Sequence, residues 1–410
     1  MKCRNCSSPA ETVMVDLGVS PLCQRFPAAQ ELGSPETFYP LKVLVCENCL
    51  LAQVDEFASP EEIFGTYAYF SSYSETWLDH ARQYAGDAID RFGIDHDSQV
   101  VEVASNDGYL LRWFVERGIP TYGVEPAANV AEAAAEVGVE TIVGFFGREL
   151  AERLLRQRGP ADLIIGNNVL AQVPDLGDFV SGLAALLAPD GVITLEFPHL
   201  LQLMVNNQFD TIYHEHFSYF SLGTSIDIFA RAGLQVFDVD ELPTHGGSLR
   251  LYLHHSADDR HAVTDRVAEV LTAEEDAGML DLRTYQAFGE RAVHIKHSLL
   301  RVLLDVKASG ESIVGYGAAG KGNTLLNYCR IGTDFLDFVV DRNPYKVGRY
   351  TPGTHIPVMA PEAIDEAMPD NILILPWNLT EEIADQLQYT AAWDCHFIVP
   401  IPKVRRFPAG

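Results

Sequence analysis

Apolar residues along this 410-residue chain fall into short β-branched runs separated by stretches of helical period. Between 63 and 240 the strand candidates are 100–104, 121–125, 163–166 and 192–197, with amphipathic helices at 130–137 and 149–156 between them. Such alternation predicts a doubly wound sheet. Residues 1–62 follow another pattern, with a Pro/Gly-rich middle and short strands such as 41–45. A charged stretch at 258–308 predicts one or two long helices. After it the pattern repeats, with a strand at 312–316, a glycine-rich turn, a helix through Tyr328 and a strand at 335–341. The predicted fold class is α/β. A small N-terminal module (1–62) precedes a Rossmann-like domain (63–240) and a second Rossmann-like α/β domain (241–410).

The most informative run is Val100-Val101-Glu102-Val103-Ala104-Ser105-Asn106-Asp107-Gly108-Tyr109-Leu110-Leu111. Its strand leads into a polar turn ending in glycine, then a helix, so backbone N–H groups of the turn face a ligand. Glu125 stands at the tip of the next strand, where an acid takes the two hydroxyls of a ribose. The turn is not Gly-x-Gly-x-x-Gly, so no pyrophosphate need approach it. An adenosine ligand without phosphates fits better, which points to S-adenosylmethionine (SAM) rather than NAD. An unliganded α/β core is the competing reading. At another strand end, Asn167, Asn168 and Gln172 are candidate ligand contacts.

Four of the seven cysteines form two pairs, Cys3-x-x-Cys6 and Cys46-x-x-Cys49. Paired knuckles of this kind supply four thiolates to one tetrahedral Zn²⁺, and a full Cys₄ set leaves no open position, so the zinc is structural. An unmetallated or redox pair is the alternative. Cys23, Cys329 and Cys395 read as packed thiols. Charge narrows the partners. With 57 acids against 29 bases the net charge is −28, which disfavours nucleic acid and anionic membranes. No apolar run approaches the roughly 18 residues of a membrane span, and the N-terminus lacks the apolar core of a secretory signal. A cytoplasmic monomer is expected.

Phe209-Asp210-Thr211-Ile212-Tyr213-His214-Glu215-His216 concentrates proton-transfer groups after a strand. Tyr213, Glu215 and His216 offer a phenol, a carboxylate and a base that titrates near neutrality. A His-x-His metal site and a purely structural cluster stay open beside catalysis. Gly315-Tyr316-Gly317-Ala318-Ala319-Gly320-Lys321-Gly322-Asn323 joins a strand to a helix. It matches neither a dinucleotide fingerprint nor a phosphate loop fully. Its N–H groups, helix dipole and Lys321 suit a phosphate or diphosphate, and a structural turn is the alternative.

Taken together, these runs resemble the SAM-dependent C-methyltransferases that act on nucleotide-linked deoxysugars in antibiotic biosynthesis. The likeness covers essentially the whole chain. It includes the cysteine module, Tyr67-Ala68-Tyr69-Phe70-Ser71-Ser72-Tyr73-Ser74, Tyr213-His214-Glu215-His216, His245-Gly246-Gly247-Ser248-Leu249-Arg250 and Pro352-Gly353-Thr354. The resemblance implies that C3 of a 4-keto sugar, typically on dTDP, is deprotonated by His216, and that the enolate carbon takes the methyl group. Glu215, Tyr213 and Tyr67 would assist. By the same resemblance Glu102, Asn106, Asp107, Gly108, Glu125 and Asn167 form the SAM pocket. Lys321, Asn323, His245, Ser248 and Arg250 would hold the nucleotide-sugar. One departure stands out: Gln172 occupies the place of a family histidine. A carboxamide cannot exchange a proton near pH 7, so O- or N-methylation of a related sugar or natural product is the second hypothesis. A sugar-nucleotide-binding protein with a decayed methyltransferase is the third.

Overall fold

A computed structural model describes residues 1–65 and 69–410. The chain forms two compact units, each assembled from non-contiguous segments. The first comprises Met1–Glu11, Cys46–Leu201 and His216–Leu280; the second comprises Thr12–Val45, Gln202–Glu215 and Asp281–Gly410.

The first unit is built on a seven-stranded sheet. Its strands are β1 (Val100–Val103), β2 (Thr121–Glu125), β3 (Ala161–Asn167 being β4) at Thr141–Val143, β5 (Leu187–Pro198), β6 (Leu234–Leu242) and β7 (Ser248–His255). They run in the order β6-β7-β5-β4-β1-β2-β3. All are parallel except β7, which is antiparallel to both β5 and β6. β1 and β4 are buried along almost their whole length, the expected state of a parallel strand covered on both faces. The strand order reverses between β1 and β4, so ligands belong outside the carboxyl ends of these central strands.

Helix α1 (Glu75–Phe92) leads into β1. Ser74 caps it by accepting the Trp77 N–H at 3.3 Å, and Gly93 ends it in the left-handed region. Trp77, Ala81, Tyr84, Ala85 and Ala88 form its buried stripe, and Trp77 and Tyr84 join Phe114, Leu110 and Leu163 in one core cluster. Helix α2 (Leu222–Ala230) is capped by Ser221.

The second unit holds a six-stranded sheet: β8 (Ile313–Tyr316), β9 (Val339–Val340), β10 (Val358–Met359), β11 (Asn371–Ile374), β12 (His396–Val399) and β13 (Arg405–Pro408). Its order is β10-β9-β8-β11-β12-β13, with only β13 antiparallel. Helix α3 (Leu282–Ala308) buries Tyr285, Phe288, Ala292, Ile295, Leu299, Leu303 and Val306 at three- and four-residue spacing. Helix α4 (Gly320–Cys329) follows β8.

The α/β class with an N-terminal cysteine module agrees with the sequence expectation. One detail differs. The strand expected at 335–341 shortens to β9, because Phe335 and Leu336 close a turn onto the Gly332 carbonyl at 3.0 Å. Residue 240 lies inside the β6–β7 hairpin, where Asp240 pairs with Arg250, and residues 12–45 cluster with the second unit. Among the described residues no helix is long and apolar enough to cross a membrane.

Candidate active site and metal centre

The four cysteines of the N-terminal module converge, although 40 residues or more separate the two knuckles. Cys3 Sγ is 3.5 Å from Cys49 Sγ, Cys6 Sγ is 3.5 Å from Cys46 Sγ, and all four sulfurs lie within 4.8 Å of one another. Tetrahedral ligands 2.3 Å from zinc stand about 3.8 Å apart, so the donor set fits one Zn²⁺. Cys3 and Cys46 are buried, as suits a structural ion.

This module is bound to the segment after His216. Arg4 Nη1 donates to the Phe217 carbonyl at 3.0 Å, and Val54 N–H donates to the same oxygen at 3.0 Å. Strand 52–54 pairs antiparallel with 218–219, and Thr224 Oγ1 donates to the Cys49 carbonyl at 3.3 Å. From the other side the Phe217 N–H donates to the Ala171 carbonyl at 2.7 Å. The residue after His216 is therefore pinned both to the metal module and to the turn that carries Gln172 (Leu170–Gln172) beyond β4.

The cofactor loop turns sharply between β1 and the next helix. Ala104, Asn106 and Gly108 all have positive φ, at 57°, 49° and 75°. Glu125 fixes that turn from the end of β2: its Oε2 accepts the Asn106 N–H at 3.1 Å and its Oε1 accepts the Ala127 N–H at 2.9 Å. Each oxygen keeps a lone pair for a further donor. Burial dominates the Glu125 carboxyl and raises its pKa to about 7 despite these two bonds. Asn106 Oδ1 accepts the Ser71 N–H at 2.9 Å and Asp107 Oδ2 the Ser72 N–H at 3.0 Å. Glu102 lies fully buried beneath the loop, where burial pushes its carboxyl well up. Backbone can approach closely here because β2 carries Gly123, whose added Cβ would stand 2.1 Å from Ser105 Oγ.

Several buried polar atoms around this loop meet no hydrogen-bond partner among the described residues: Asp107 Oδ1, Asn168 Oδ1 and both amide atoms of Asn167. Buried polar atoms are normally satisfied. Orphans gathered at the carboxyl ends of β1 and β4, beside a carboxylate with spare lone pairs, fit a ligand that brings hydroxyls, amines and a charged amino-acid group. SAM is such a ligand.

The acid–base run divides between the units. His216 opens a segment of the first unit, is buried, and lies with its ring 6.1 Å from that of Tyr219. Tyr213, His214 and Glu215 close a segment of the second. His214 Nε2 sits 3.1 Å from the Pro40 carbonyl, and burial lowers its pKa. Among the described residues neither His214 nor His216 joins a cluster of three potential metal ligands. Glu215 Oε1 accepts the Cys23 thiol at 3.3 Å, so this packed cysteine has a polar partner that the sequence did not reveal. Tyr67 lies outside the described residues.

The nucleotide-sugar candidates are divided between the two units. His245, Ser248 and Arg250 belong to the first unit, Lys321 and Asn323 to the second. His245 Nε2 is 3.2 Å from Asn168 Nδ2, and both residues are left-handed, with φ of 55° and 56°. Backbone of this kind clusters at functional sites. Ser248 Oγ donates to the Thr244 carbonyl at 2.9 Å, and Arg250 pairs with Glu196 at 2.6 Å. Lys321 Nζ donates to Asn378 Oδ1 at 2.7 Å and lies 4.8 Å from the Trp377 ring centre. Burial lowers its pKa to about 8, partly offset by the Asp210 charge. Asn323 Nδ2 donates to the Cys23 carbonyl at 2.7 Å. Sequence reasoning did not single out His80 and Glu196, which contact Arg250, or Trp77, which stacks on His80, because they belong to no local motif.

Three family models cover the chain: "Putative zinc binding domain" over 3–64, "Methyltransferase domain" over 77–239 and "C-methyltransferase C-terminal domain" over 243–402. The chain is 37% identical to C-methyltransferase NovU of Streptomyces niveus, an alignment covering 98% of this chain and 96% of that one. Solved structures resemble it partially. Magnesium protoporphyrin IX methyltransferase of Synechocystis, with bound SAH, is 15% identical with a TM-score of 0.35, over 43% of this chain and 82% of that one. The CcbJ methyltransferase of Streptomyces caelestis is 11% identical with a TM-score of 0.34, over 43% and 89%. A cysteine module with zinc geometry, a cofactor loop closed by a strand-end acid and identity along nearly the full length converge on one conclusion: the chain belongs to the SAM-dependent C-methyltransferases.

Proposed function

We propose that this enzyme methylates C3 of a nucleotide-linked 4-keto-deoxysugar through an enolate. The observation that carries the reading is the fixing of His216: its neighbour Phe217 is hydrogen-bonded on one side to Arg4 and Val54 and on the other to Ala171 at the carboxyl end of the sheet. A base held by rigid backbone on two sides suits abstraction of a weakly acidic proton, for which general-base help is worth roughly 10²–10⁴-fold. His216 takes the C3 proton, and the electron pair moves into the adjacent carbonyl. The enolate carbon then forms a bond to the methyl carbon as the sulfur–methyl bond breaks. Bound SAM supplies the electrophilic methyl group. Glu125 grips its ribose through the two free lone pairs, and Asp107 and Asn167 line the same pocket. Tyr213, Glu215 and Tyr67 assist by holding developing charge. Lys321 and Asn323 contact the nucleotide-sugar, as do His245, Ser248 and Arg250.

The test is mass spectrometry of the purified enzyme with SAM and a dTDP-4-keto-2,6-dideoxyhexose in D₂O, beside a His216→Asn control. The expected product is heavier by one methyl group and has lost its C3 hydrogen, and the variant makes none. Methyl transfer without any change at C3 refutes the enolate. Gln172 favours a second reading, an oxygen or nitrogen acceptor, because a carboxamide at that turn can hydrogen-bond an acceptor but cannot relay a proton.

A further inference from the structure

In the first unit Arg250 belongs to a charge cluster whose acid, Glu196, and histidine, His80, the proposed reaction does not use. Glu196 is fully buried on β5, in register with Asn167 on β4. Its two oxygens lie 3.1 and 2.9 Å from His80 Nε2. Oε2 also accepts from Arg250 Nη2 at 2.6 Å and Oε1 from Thr244 Oγ1 at 2.8 Å. Arg250 in turn stacks over the Tyr84 ring at 4.4 Å. Burial opposes ionisation of Glu196, but the bond from His80 and the charge of Arg250 outweigh it and hold the pKa at about 2.

Two features turn this cluster toward a ligand. The first is access. The side chains of Glu196 and Arg250 are 0% and 7% exposed, whereas that of His80 is 19% exposed. Nε2 faces both Glu196 and Arg250 Nη2, the latter at 3.0 Å, and Nδ1 lies on the other edge of the ring. The second is position. Trp77 stacks against His80 at 4.9 Å and against Tyr109 at 5.9 Å, and Tyr109 directly follows Gly108 of the cofactor loop. The ribose acid Glu125 ends β2, and β5 lies three strands away in the sheet order, a span of about 14 Å at ordinary strand spacing.

SAM has a shape to match that span. Its ribose sits near one end and its amino-acid group ends a flexible tail at the other. Asp107 and Glu125 crowd the loop end of the site with carboxyl groups, so the tail's carboxylate needs a hydrogen-bond donor further along. We propose that His80, oriented by Glu196 and Arg250, receives the α-carboxylate of SAM at Nδ1–H. Glu196, Arg250 and Thr244 are positioning residues that fix the ring.

The experiment is titration calorimetry on the full chain with three ligands. S-Adenosylhomocysteine carries the whole amino-acid group, 5′-(3-aminopropylthio)-5′-deoxyadenosine keeps the ammonium without the carboxylate, and 5′-methylthioadenosine lacks both. In H80A the affinity for S-adenosylhomocysteine should fall roughly tenfold to a hundredfold, the scale of one hydrogen bond to a charged group. The other two affinities should stay within about twofold of wild type. H80Q, which keeps the shape and a neutral donor, should fall in between; it also serves as the comparison if H80A does not fold. An equal loss for all three ligands would mean that His80 only supports the fold, and unchanged binding of S-adenosylhomocysteine would mean that the carboxylate docks elsewhere. A loss shared by the aminopropyl ligand alone with S-adenosylhomocysteine would transfer the role to the ammonium. Each of these overturns the proposal. No sugar enters the experiment, so its outcome is independent of the acceptor assigned above.

Discussion

Lowering the pH should weaken cofactor binding through Glu125. In the ligand-free site its pKa stands at about 7, raised mainly by burial. Two backbone donors occupy one lone pair on each oxygen, and two ribose hydroxyls can take the others only if the group is a carboxylate. Bound cofactor therefore holds the pKa down. Below pH 7 each binding event must first remove a proton, so affinity should fall about tenfold per pH unit. Between pH 7, where the group is half protonated, and pH 5 the loss is about fiftyfold, about 2.3 kcal/mol at 1.36 kcal/mol per unit. The sign for stability is the reverse. A carboxyl whose folded pKa exceeds its unfolded value binds more protons when folded, so this group lowers stability as pH rises from about 4.5 to 7. Cofactor at neutral pH offsets that loss. The assay is calorimetric titration of S-adenosylhomocysteine from pH 5 to 8 in buffers of differing ionisation enthalpy, which also reads the proton released on binding. Glu125→Gln should bind weakly and lose the slope attributable to this residue. The same affinity at pH 5.5 and 8, or unimpaired binding by Glu125→Gln, would refute the assignment.

Metal analysis should find one zinc per chain. Cys46→Ser should lose it, with a fall in Tm and in methyl transfer, because the module that carries the thiolates also holds Phe217 beside His216. Gly123→Ala should cost roughly 1–3 kcal/mol in urea denaturation and weaken S-adenosylhomocysteine binding, since its Cβ would stand 2.1 Å from Ser105 Oγ under the cofactor loop; wild-type stability would show that Ser105 moves aside freely. Phe114→Ala, at a fully buried position in the core cluster between α1 and the sheet, should lose about 3–5 kcal/mol in the same measurement. A loss below 1 kcal/mol would contradict the packing described.

Features set by neighbouring residues were legible in the sequence. Strand 121–125 and the polar turn after β1 follow from local pattern, because side-chain period and turn chemistry act over a few residues. The C-x-x-C knuckles identify a zinc set because each pair places two sulfurs by a local turn, and the fold had only to bring the pairs together. Glu125 stood out in the sequence because an acid at the tip of a second parallel strand lies at the ligand edge of the sheet.

Tertiary structure alone decided how distant residues meet. The β6–β7 hairpin carries Arg250 back beside β5, where it pairs with Glu196. Nothing in the intervals among His80, Glu196 and Arg250 foretells that cluster, because each lies on a different element and only sheet order brings them together. The same holds for Cys23, whose thiol finds Glu215 across 192 positions, and for Phe217, tied at once to Arg4 and Ala171. Sequence pattern determined the kinds of element and the chemistry available on them. Packing determined which groups lose their water and which charge each one faces, because burial and distance depend on the whole sheet rather than on the local chain.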